Sequence, residues 1–145
     1  MVEDQPDLSG PQGSLVSYES RAGAVIYAKD MDRVAAFYSS VLGLQTAGAD
    51  DEHVLLESPG FQLVVLRIRD RLASNIHVTV PPTRRADAAI KLVFFVPSIA
   101  AVRTAAAERG GVLNGAAKEW LFNGWKVCDG LDPEGNVVQF REKAG

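Results

Sequence analysis

One cysteine, Cys128, in 145 residues excludes an intrachain disulfide and suits a reducing compartment. No apolar run approaches the roughly 18 residues that a membrane span needs, so no membrane partner is expected. The opening stretch from Met1 to Gly13 is acidic and rich in proline and glycine, without the apolar centre of a signal peptide. A soluble, cytoplasmic protein is the expectation. Strong charge of either sign is also missing: 15 basic against 18 acidic side chains leave a formal −3. The densest basic cluster is Arg84-Arg85, far short of the patch that nucleic acid requires, so no nucleic-acid partner is expected. A charge this small does not by itself select a cationic ligand.

What the chain does contain is a repeat. Ala24-Val-Ile-Tyr-Ala-Lys-Asp30 leads into a helical pattern that ends at Leu42-Gly43-Leu44, and Leu92-Val-Phe-Phe-Val-Pro-Ser98 leads into another that ends at Gly110-Gly111. The separation of Asp30 from Ser98 equals that of Gly43 from Gly111. A repeated strand–helix unit in so short a chain implies two similar halves packed together.

Asp30 and Ser98 are suited to capping helices, because their side-chain oxygens accept from the free N–H groups of a first turn. Val34, Phe37, Tyr38, Val41 and Leu42 fall on one face of the first helix, and Gly43 suits its left-handed end. The second helix runs to about Arg109. Strands are predicted over 23–28, 44–48, 53–57 and 61–69 in the first half. In the second half they are predicted over 90–96, 112–114, 119–122, 125–129 and 136–141. Ser58-Pro59-Gly60 and Asp132-Pro133-Glu134-Gly135-Asn136 read as turns. Residues 76–80 read as a short edge strand in the connector, and Leu15-Val16 as a short strand in the N-terminal segment. The fold class is therefore α+β: paired β-α-β-β-β modules whose mixed sheets form a curved cup with the helices outside. Residues 1–20 form a flexible tail, and 21–145 one domain with modules over about 23–70 and 88–143.

Asp30-Met-Asp-Arg33…Phe37-Tyr38…Leu42-Gly43-Leu44 resembles the first-module signature of the vicinal oxygen chelate superfamily, which includes glyoxalase I, extradiol dioxygenases and bleomycin-resistance proteins. Asp132-Pro133-Glu134-Gly135-Asn136 is similar to its closing motif, and the resemblance covers roughly 23–141. It implies a homodimer. It also implies, for the enzymes of the superfamily, a divalent metal held by His, Gln or Glu on the first and last strands of each module. Carried over position by position, those sites fall on Gly23, Val64, Lys91 and Gln139. Glycine and valine offer no donor, and a protonated lysine has no lone pair. Only Gln139 has a coordinating oxygen, so no metal or other cofactor is expected. Elsewhere His53 and Glu57 share a strand face and make two donors at most; His77 and Cys128 have no evident partners.

Strand alternation gives the predicted lining of the cup: Val25, Tyr27, Gln62, Val64, Lys91, Phe95 and Gln139, with Trp120 and Trp125 on the aromatic loop. Such a surface, mostly apolar with a few orienting polar groups, suits a small organic ligand. The leading expectation is a small-molecule-binding protein of the bleomycin-resistance kind. The alternatives are a metal-dependent lyase, isomerase or dioxygenase, which needs a different strand register, and an interaction module whose cup is filled by its own side chains. No catalytic residue is assigned.

Overall fold

The computed structural model describes residues 19–145, and the tail predicted over 1–20, with its strand near Leu15-Val16, lies almost wholly outside them. The first module runs β1 (Ser20–Ala28), α1 (Met31–Leu42), β2 (Gln45–Ala49), β3 (His53–Ser58) and β4 (Gly60–Arg67). A single helical turn, α2 (Asp70–Ala73), opens the connector. The second module runs β5 (Leu92–Phe95), α3 (Ile99–Glu108), β6 (Val112–Leu113), β7 (Trp120–Phe122), β8 (Trp125–Leu131) and β9 (Val137–Lys143). Residues 76–80 form no strand; the predicted edge strand is replaced by irregular chain, and Val80 and Pro81 are exposed.

Each module places its first strand parallel to its last, and the orders β1-β4-β3-β2 and β5-β9-β8-β6 are equivalent. The repeat is therefore real at the level of register: Val25 pairs with Val64 where Val93 pairs with Gln139. The second module departs from its twin in one respect. Its second strand is split into β6 and β7, both paired to β8, with a short 3-10 turn at Ala116–Lys118 between them. Asn123 and Gly124, both with positive φ, close the β7–β8 hairpin, the backbone that a two-residue Asn-Gly turn favours.

Local chemistry sets the helix ends. Asp30 accepts from Arg33 N at 3.2 Å and Ser98 from Ala101 N at 3.1 Å, as the capping reading requires. Gly43 ends α1 with φ +66°. The apolar stripe of α1 (Val34, Phe37, Tyr38, Val41) covers one face of the first sheet through Ile26, Leu63 and Val65. Ile99, Val102 and Ala106 of α3 pack with Leu113, Val138 and Phe140 in the same continuous core. No helix among the described residues is long and apolar enough to cross a membrane.

Carboxylates distant in sequence, one in the turn before β9 and one on β9, fix both helix starts. Glu134 accepts from Lys29 N at 2.8 Å and Asp30 N at 2.7 Å, while Glu142 accepts from Ile99 N at 2.7 Å and pairs with Lys126 at 3.2 Å. The bond from Ile99, then Lys126, holds the Glu142 carboxyl below its ordinary value of 4.5. A depressed carboxyl stabilises the fold fully above its unfolded value and loses that contribution as pH falls through the folded one. Urea midpoints measured from neutral into acid pH are expected to decline below the ordinary carboxylate range. In Glu142→Gln the decline should be shallower; an identical slope would remove Glu142 from the account.

Candidate functional site

Side chains alternate across a strand, so each sheet keeps a second face turned away from its helix. On the first sheet this face carries Gly23, Val25 and Tyr27 of β1 beside Gln62, Val64 and Leu66 of β4. Val25 is 52% and Tyr27 64% exposed, whereas the alternating Ile26 and Ala28 are buried under α1. On the second sheet the open face carries Val93 and Phe95 of β5, Gln139 and Arg141 of β9, and Trp125 and Asp129 of β8. The register also puts Trp120 and Phe122 of β7 on this side.

The polar groups of the second face form one hydrogen-bonded chain. Lys91, one residue ahead of β5 and exposed, pairs with Asp129 at 2.9 Å. The other oxygen of Asp129 accepts from Gln139 Nε2 at 3.0 Å, and Gln139 Oε1 accepts from Arg141 Nε at 2.8 Å. The Arg141 guanidinium lies over Phe122 and Phe95, 5.1 and 5.8 Å from the ring centroids, and Phe95 meets Trp125 edge to face at 4.8 Å. Lys91 thus sits at the rim and also reaches an acid, which accounts for a lysine placed on an apolar face.

The nine residues predicted for the cup fall into two groups on two sheets. Val25, Tyr27, Gln62 and Val64 belong to the first, and Lys91, Phe95, Trp120, Trp125 and Gln139 to the second. Gln62 donates to the buried Glu57 at 3.2 Å. A cavity of about 530 Å³ opens at the end of the first face, lined by Tyr27, Leu66, Ile68, Leu72 and Ile76. A second, of about 510 Å³, lies between β1 and β5 against Val25, Tyr27, Ile90, Leu92 and Val137. Both volumes are of the size that takes a drug-like molecule. Sequence reasoning missed Asp129 and the walls supplied by Leu72 and Ile76. Asp129 enters through the β8–β9 register, and the two walls through the irregular connector.

The four positions where the superfamily resemblance would place a metal do not fit one. A side chain on Gly23 would bring its Cβ to 3.0 Å from Gln62 O, and Val64 is apolar. The Lys91 ammonium is held by Asp129, and the one donor oxygen, on Gln139, already accepts from the cationic Arg141. Among the described residues no three His, Cys, Asp or Glu side chains cluster to hold a metal. His53 pairs with Asp50 at 3.0 Å rather than turning to Glu57. Cys128 is buried beside Arg103 on the helix side; burial pushes its thiol up against the opposing pull of that guanidinium, which does not favour a nucleophilic thiolate.

With this geometry in place, the relatives agree with the motifs. The glyoxalase-like domain family matches residues 23–140, and the chain belongs to that family, within the vicinal oxygen chelate superfamily. No protein of curated function matches it. A glyoxalase/bleomycin resistance protein/dioxygenase family enzyme from Burkholderia phytofirmans PsJN is similar with a TM-score of 0.63 at 19% identity, over 86% of this chain and 99% of that one. A glyoxalase/bleomycin resistance protein from Albidiferax ferrireducens T118 gives 0.59 at 18%, over 84% and 97%. Lactoylglutathione lyase from Agrobacterium tumefaciens gives 0.54 at 21%, over 83% and 91%. At these identities the likeness is one of fold.

Proposed function

We propose that this protein is a small-molecule binder of the bleomycin-resistance kind that works without the superfamily's usual divalent metal. The observation that carries this reading is the state of Gln139. Its amide is engaged at both ends, by Asp129 and by Arg141, so a cation placed there would have to displace a guanidinium. The open faces supply what a ligand needs instead: exposed Val25 and Tyr27 on the first, beside two cavities, and exposed Phe95 and Phe122 on the second. The unpaired outer edges of the two open sheets support a homodimer. The single buried thiol of Cys128 suits a cytoplasmic setting.

Elemental analysis of protein purified without chelators is expected to find far less than one equivalent of nickel, zinc, iron or manganese. One tightly held equivalent would return the chain to the metal-dependent lyases, isomerases and dioxygenases. Size-exclusion chromatography with light scattering should give twice the chain mass of 15.6 kDa; a monomer at all concentrations would contradict the dimer.

A further inference from the structure

We infer that the ligand bound at the second open face is an aromatic carboxylate, recognised through Arg141. This deepens the small-molecule reading above and rests on it. The argument begins with the charges in the hydrogen-bonded chain. Lys91 and Asp129 satisfy one another, Gln139 is neutral, and Arg141 is left as the uncompensated cation: among the described residues it makes no ion pair, although its three neighbours in that chain are all engaged. Lys143, exposed at the end of the same strand, adds to the positive field.

The guanidinium is also pre-set. Its Nε is committed to Gln139 Oε1, and its plane is steadied by Phe122 and Phe95. What remains for a ligand is the pair of terminal nitrogens, Nη1 and Nη2, for which the described residues supply no acceptor. Two coplanar donors in a fixed fork match the two oxygens of a planar carboxylate, and an arginine held in advance loses little freedom on binding. The rest of the ligand is defined by its surroundings. Phe95 is 60% and Phe122 53% exposed, and Trp125 stands edge-on to Phe95, so a flat apolar body attached to the carboxylate has rings to stack upon. An aliphatic acid would leave these rings wet, and a neutral aromatic would leave the fork unpaired.

The test compares acids with their neutral amides. Binding of 2-naphthoate and 2-naphthamide, and of benzoate and benzamide, is followed by amide chemical shifts in labelled full-length protein. In the wild type each acid is expected to bind about tenfold or more tighter than its amide, with shifts centred on β5, β8 and β9. Added salt should weaken only the acids. Arg141→Gln should bring the acid-to-amide ratio to about one, and Arg141→Lys should restore part of the preference. Urea midpoints of both variants report whether the fold is intact, and the acid-to-amide ratio of the wild type stands independently of any variant. Equal affinity of acid and amide, or a preference that survives in folded Arg141→Gln, overturns the carboxylate assignment while leaving the binder reading intact. No shift on either open face with any of the four compounds overturns both.

Discussion

Asp132→Ala is expected to lower stability by about 3–5 kcal/mol, read as a fall in the urea midpoint at unchanged slope. Asp132 is fully buried, yet four donors converge on it. One oxygen accepts from the backbone of Glu134 at 2.8 Å and of Asn136 at 3.1 Å; the other accepts from Tyr38 Oη and Asn136 Nδ2, both at 2.7 Å. Truncation strands these donors in a site with little access to water, and an unsatisfied buried group loses more than the net worth of the bond it made. Tyr38 belongs to α1 and Asp132 to the turn before β9, so this contact joins the two modules. Burial, and then the Asp132 charge, push the Tyr38 hydroxyl well above its ordinary value of 10.0, which keeps it protonated as the donor. Tyr38→Phe should be milder, about 1–2 kcal/mol, because Asp132 keeps its other three partners. The two effects should fall short of additive in a double-mutant cycle. A loss below about 1 kcal/mol for Asp132→Ala would show that the turn does not need its carboxylate.

Gly135→Ala is expected to destabilise by about 2–4 kcal/mol, from backbone strain and steric overlap together. Gly135 has φ +84°, and an added Cβ would stand 2.0 Å from Thr83 O. That oxygen belongs to the connector, which is tied down at this point by the bond from Arg85 N to Gly135 O at 3.0 Å. The connector cannot move aside without breaking that bond, so faster hydrogen exchange at Arg85 should accompany the loss. Gly115→Ala is the control: nothing lies within 4 Å of its added Cβ, and the change should stay within about 0.5 kcal/mol. Equal effects at the two glycines would refute the crowding argument.

Both predictions concern Asp132-Pro-Glu-Gly-Asn136, a segment whose turn was legible in the sequence and whose work was not. The turn residues announce themselves because their chemistry is local: Asp132 bonds the backbone two and four residues ahead, and Gly135 takes a left-handed conformation. That Glu134 would hold the start of α1, or that Thr83 would press on Gly135, depends on segments that meet only in the folded chain. The same division runs through the candidate site. Alternation identified Val25, Tyr27, Phe95 and Gln139 as residues of the open faces. Arg141 flanks Gln139 on the same strand, whereas Asp129 became its partner only through the register of β8 against β9.

The sequence by itself determined the repeat, both helix caps, the closing turn and most strand positions, because each rests on interactions within a few residues or on a fixed side-chain period. Tertiary structure alone decided that the irregular connector walls a cavity and that Asp129 and Arg141 engage Gln139 at both ends. Those outcomes depend on which strands become neighbours. That choice is made by burial of the whole core, and no local pattern encodes it.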